Sequence, residues 1–148
     1  MKPFLDSGFL LTLLLTTSGS KKAWESSREV DGPLLLASFQ VLSIENRFRR
    51  ELEADDSTAA QRAHAANALQ NFVWYLEQQV FRPVRLDYEI VFDLAYQWQR
   101  SSKKTPPTLL LVWPAIAVTI GATHFLSFDP RTRQLAQTAG LKLLPQKL

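Results

Sequence analysis

The stretch GATHFLSFDPRTRQLAQTAGLKLLP, Gly121 to Pro145, decides the fold. His124 to Phe128 is a short run of apolar and aromatic residues and reads as a strand. Asp129-Pro130 opens a helix. An aspartate accepts the first free amides at the N-cap, and proline's fixed φ and missing N–H suit the next position. That helix spans Pro130 to Ala139, Gly140 stops it, and Leu141 to Leu144 is a second apolar strand. Two strands joined through a helix run parallel, because the crossover returns the chain to its starting edge.

The same alternation recurs toward the start of the chain. Pro3 to Asp6 reads as a short buried strand ending in an acid, Ser7-Gly8 as a turn, and Phe9 to Leu15 as an apolar helix. A second helix around Ala23 to Val30 is broken by Asp31-Gly32-Pro33, after which Leu34 to Leu36 reads as another buried strand. From Phe39 to Glu53 the residues Val41, Leu42, Ile44, Phe48 and Leu52 fall near helical spacing, with Arg47, Arg49 and Arg50 on the other side. Ala59 to Val80 lacks proline and glycine and predicts one long helix, ended by Pro83. Its aromatics Phe72, Trp74 and Tyr75 serve either helix packing or a groove for a partner helix. Val84 to Leu86 is expected as a third strand, and Asp87 as the cap of a helix carrying Val91, Leu94, Ala95 and Trp98. A polar loop, Ser101 to Pro107, precedes the buried helix Thr108 to Ile120, disturbed by Pro114. Alternating strands and helices with apolar strand runs predict a three-layer α/β/α domain around a mostly parallel central sheet, one domain over residues 1–148.

Composition narrows the function classes. With no cysteine in 148 residues, disulfides, thiolate nucleophiles and cysteine zinc sites are excluded, which fits a cytoplasmic setting. No run reaches the roughly 18 apolar residues of a membrane span. Lys2 followed by Phe9 to Leu15 imitates an export signal, but Asp6 and the poor cleavage site in TTSGSKK argue against it. A net charge of +3 permits a polyanionic partner without demanding one. Phosphate-cradling glycine loops are absent, and LDSGF lacks the second aspartate of an Asp-x-Asp phosphotransfer motif. His64 and His124 lack metal-ligand spacing.

In parallel sheets, sites gather beyond the carboxyl ends of the strands. Asp6 and Asp129 each follow an apolar strand and precede a helix, so both belong there. Two such carboxylates can share a hard divalent cation, and each can also act simply as a helix cap. Glu45 precedes Arg49 by four residues, the spacing of an exposed ion pair. Arg131 and Arg133 suit either a phosphate contact near the helix start or a solvated face.

GATHFLSFDPRTRQLAQTAGLKLLP resembles the final strand–helix–strand of the PIN-domain family. With MKPFLDSG at the start and GPLLLASFQVLSIENRFRR between, the resemblance covers the chain in the family's order. The family includes VapC-type toxins of toxin–antitoxin pairs, ribonucleases whose acidic cluster binds Mg2+ or Mn2+. The resemblance therefore implies a metal-dependent endoribonuclease, with RNA, an antitoxin protein and a second copy of the chain as partners, and no membrane. Carried over by position, Asp6 and Asp129 become metal ligands and catalytic residues, with Ser127 at a hydroxyl position beside the substrate. The helix glutamate is either Glu45 or, with Asn46 aligned to a frequent asparagine, replaced by Ser43. A third aspartate falls at Leu110, and a frequent histidine at Trp113. The expectation is thus a degenerate acidic cluster with weakened or lost cleavage. The alternative is a non-catalytic PIN fold that binds RNA or protein.

Overall fold

The computed structural model describes residues 1–103 and 106–147. Five parallel strands, β1 (Pro3–Leu5), β2 (Leu34–Ala37), β3 (Phe81–Val84), β4 (His124–Leu126) and β5 (Lys142–Leu144), form a sheet in the order β3-β2-β1-β4-β5. The helices are α1 (Ser7–Leu14), α2 (Ser20–Ser27), α3 (Ser38–Glu53), α4 (Ala59–Glu77), α5 (Tyr88–Ser101), α6 (Thr108–Thr119) and α7 (Pro130–Thr138).

Period-two alternation along the strands divides the core into two layers. Leu5, Leu34, Leu36, Phe81, Leu126 and Leu144 face a core built with Phe9 of α1, Ala23 of α2, Phe48 of α3 and Phe72 of α4. Phe4, Leu35, Ala37 and Phe125 face the opposite core, with Val91 of α5, Ile116 of α6 and Ala136 of α7. Strands covered on both faces are apolar throughout, which is why LLL and HFL carry no alternation of their own. The resulting architecture is the three-layer α/β/α sandwich around a parallel sheet. Phe9 to Leu14, the stretch that imitates an export signal, contributes four buried side chains to it.

The chain leaves β1 for β2 and then β3 with α1 to α4 on one face. It then crosses back to β4, on the other side of β1, with α5 to α7 on the other face. Crossovers of constant hand require this change of face where the strand order reverses. The reversal lies between β1 and β4, and it places a crevice at their carboxyl ends.

Several expected boundaries move: α2 spans Ser20–Ser27 in place of Ala23 to Val30, β4 ends at Leu126 in place of Phe128, and two further shifts have a clear local cause. The helix α4 stops at Glu77, where Gln79 adopts a left-handed φ of 57° and the Val80 amide donates to the Tyr75 carbonyl at 2.9 Å. This six-to-one bond closes the helix before Pro83 can. The third strand is Phe81–Val84 with Pro83 inside it, opposite Leu36, in place of the expected Val84 to Leu86. Proline is tolerated there because β3 is an edge strand, so an N–H can be missing on its open side. Pro114 sits within α6 without ending it. Among the described residues no helix is long and apolar enough to cross a membrane.

Candidate functional site at the strand-order reversal

The β1–β4 register pairs Leu5 with Leu126, so Asp6 and Ser127 leave the sheet side by side. The Asp6 amide donates to the Leu126 carbonyl at 3.1 Å, and the Ser127 amide to Leu144 at 3.2 Å. Asp6 is 5% exposed and caps α1, its Oδ1 accepting the Phe9 amide at 2.7 Å. Burial pushes its carboxyl above the ordinary value, and the nearby charge of Asp129 pushes the same way. Hydrogen bonds from the Ser127 side chain and the Phe9 and Gly8 amides oppose the rise without cancelling it. Ser127 is fully buried, and its Oγ also accepts the Asp129 amide at 3.0 Å. One hydroxyl thus links the two aspartates.

Asp129 caps α7. Its Oδ1 accepts the Arg131 amide at 2.8 Å and the Thr132 amide at 3.3 Å. Arg131 folds back on it, Nη2 donating to Oδ2 at 3.0 Å and Nε to Oδ1 at 3.4 Å. The Arg131 hydrogen bond is the main reason the carboxyl sits below its ordinary value; partial burial opposes it, and the two amides add to it. The two carboxyls are therefore driven apart. Asp6 is held toward its neutral form and Asp129 toward its charged form, although they share a crevice.

The two arginines of DPRTR part company. Arg131 is exposed and bound to Asp129, whereas Arg133 is 7% exposed and donates to the carbonyls of Ser127 (2.9 Å) and Pro145 (2.7 Å). Its guanidinium is committed to main-chain oxygens, tying the end of β4 to the segment after β5. It is thus neither on a solvated face nor directed at a phosphate.

Glu45 does not join the aspartates. Its Oε2 lies 3.9 Å from Arg49 Nη2, the i,i+4 pair that the spacing allows. The residue of α3 that reaches β1 is Gln40, fully buried, whose Nε2 donates to the Leu5 carbonyl at 3.0 Å and lies 3.5 Å from Ser7 Oγ. Its Oε1 accepts the Ala37 amide at 2.7 Å. At about 100° per residue, Ser43 lies about 60° from Gln40 around the helix and Glu45 about 140° away. Helical geometry therefore favours Ser43 over Glu45 at the site-facing position. Sequence reading missed Gln40, although a single amide in an otherwise apolar strand-to-helix junction was a signal for it.

The helix α6 runs antiparallel to the strands, so its start lies at the same end as the aspartates. Trp113 stacks on Phe39 with centroids 5.0 Å apart and 13° between planes, which fixes that start beside α3. Leu110, half-buried and nearly one turn nearer the helix start, brings no donor atom. Thr132 was also missed: its Oγ1 is buried without a partner, one turn before Ala136 on the core face of α7. His124, at the opposite end of β4 from Asp129, contacts Thr123 Oγ1 at 2.9 Å.

Among the described residues no three acids or histidines form a metal cage. Asp6 and Asp129 nevertheless suit one hard cation, since Mg2+ is commonly held by one or two carboxylates with waters and substrate phosphates completing its shell. Such an ion would also relieve the repulsion between the two carboxyls. No protein-family model matches the chain, and no curated protein matches it.

Proposed function

We propose that the crevice between β1 and β4 is a PIN-like, metal-dependent RNA phosphodiester-cleaving site of weakened activity. The observation that carries this reading is the convergence of Asp6 and Asp129 at the reversal of strand order, linked through the Ser127 hydroxyl. Asp6 and Asp129 would hold the Mg2+ or Mn2+, which when bound supplies a water of lowered pKa and neutralises phosphoryl charge. Ser127 orients both carboxyls, Arg133 fixes the Ser127 carbonyl, and Arg131 would have to give up Asp129 for that carboxylate to hold a cation. Activity is weakened because Leu110 and Glu45 supply no further ligand, leaving the cation loosely positioned. In this reading the protein works in the cytoplasm, with RNA as substrate and an antitoxin protein as partner. The test is cleavage of end-labelled single-stranded RNA with and without Mn2+. Slow, Mn2+-dependent cleavage that vanishes in both Asp6→Asn and Asp129→Asn is expected, and undiminished cleavage by those variants would refute the assignment.

A second reading, a non-catalytic module that binds RNA or protein, is favoured by the Arg131 ion pair, which already neutralises Asp129. It expects no heat of Mn2+ binding at millimolar concentration. A one-site isotherm that is lost in Asp129→Asn would exclude it.

A further inference from the structure

At the amino ends of β2 and β3, the far end of the sheet from the aspartates, an open recess of about 590 Å³ lies between α2, α4 and the turn into β2. Two half-buried aromatics wall it, Trp24 and Tyr75, with ring centroids 5.3 Å apart. Tyr75 is held edge-on by the fully buried Phe81 at 5.3 Å and by the exposed Trp74 at 5.2 Å. Arg28, Gln78 and Gln79 stand exposed around it, and no carboxylate lines it. Among the described residues Arg28 forms no ion pair.

Gln79 gives an independent sign that the recess has a use. It occupies the left-handed position that closes α4, where glycine is the usual residue because a side chain there is strained. Its Nε2 donates to the Leu76 carbonyl at 3.2 Å, leaving the amide oxygen and one hydrogen available at the rim.

We infer that this recess binds a nucleotide, the base against Trp24 and Tyr75, the phosphate on Arg28, and the base edge against the carboxamides of Gln78 and Gln79. Aromatic faces stack on any base, a guanidinium suits phosphate, and glutamine pairs with base edges. A proline-rich peptide would use the aromatic wall but would give Arg28 no counter-charge. The inference is independent of the carboxylate site. The nucleotide is either free or part of a single strand.

The experiment follows the Trp24 indole N–H signal of the full-length protein, assigned by its loss in Trp24→Phe, during titration with AMP, adenosine, inorganic phosphate and a single-stranded RNA hexamer. AMP is expected to move the signal saturably, and both adenosine and the Arg28→Ala variant should bind about tenfold more weakly, the worth of one charged phosphate contact. Asp6→Asn should bind AMP as the wild type does, so failure of the cleavage reading leaves this result intact. Gln79→Gly should raise the Tm while weakening AMP severalfold, a combination that a purely structural role would not give. A hexamer that binds much more tightly than AMP assigns the recess to a single strand; equal affinities assign it to the free nucleotide. The inference is overturned if neither AMP nor the hexamer moves the signal at millimolar concentration. It is overturned equally if Arg28→Ala or adenosine matches wild-type AMP binding, or if a proline-rich peptide alone moves the signal.

Discussion

Replacing Arg131 by glutamine isolates the competition at Asp129. The guanidinium donates to both carboxylate oxygens, at 3.0 and 3.4 Å, but its side chain is 67% exposed and that of Asp129 30% exposed. An ion pair so wetted adds little to stability, so urea unfolding at pH 7 should show a midpoint close to that of the wild type. The two amide bonds to Asp129 remain and keep the cap of α7. Under the proposed cleavage reading, a cation would have to overcome this weak attraction to take the carboxylate. Removing Arg131 should therefore tighten Mn2+ binding by at most about fivefold. Electron paramagnetic resonance of free Mn2+ reads that change directly. Unchanged or weaker Mn2+ binding in Arg131→Gln would show that Asp129 is not a cation ligand. A clear drop in the urea midpoint would show that the pair is structural.

Asp6→Asn should flatten the dependence of stability on pH. The folded carboxyl titrates above its ordinary value of 3.8, so the native state holds the proton more tightly than the unfolded chain does. Wild-type stability therefore falls as pH rises from near 3.8 to the folded pKa and levels off above it. Denaturant midpoints of Asp6→Asn should lack this slope, so the two proteins separate as pH rises across that range, and parallel curves would refute the burial argument. Asp129 has the opposite sign: its folded pKa is lowered, so the stability it adds is lost as pH falls below the ordinary value. Gln40→Leu should cost about 2–4 kcal/mol by urea unfolding, because it orphans the buried Ala37 amide and Leu5 carbonyl at about 1–3 kcal/mol each. A loss under 1 kcal/mol would mean that water replaces the amide.

How far the site could be read in advance depended on how local each determinant is. Asp6 and Asp129 were legible because a carboxylate after an apolar strand and before a helix start is a feature of consecutive residues. Their pairing was not, since β1 and β4 come to lie side by side only through the whole order of crossovers.

 

Lys2 and Thr123, which hydrogen-bond at the start of the same strand pair, stand 121 residues apart in the chain. No local pattern spans such an interval; the order of the crossovers alone brings the two acids together.

The sequence by itself determined the layers and the parallel sheet, because apolar runs, caps and breakers act within a few residues and need no distant partner. Tertiary structure decided everything that depends on facing. In α3, Gln40 turns toward β1 while Glu45 turns to Arg49, a difference set by about 100° of rotation per residue against a fixed neighbour. In α7, Arg131 and Arg133 have the same chemistry and nearly the same position, yet one meets solvent and Asp129 while the other is buried against two carbonyls. Pro83 reads as a breaker wherever it stands, and it becomes a strand residue because β3 has an open edge. The physical reason is common to all three: a side chain's role is fixed by what lies across from it, and that is settled only when the sheet has closed on both its helix layers.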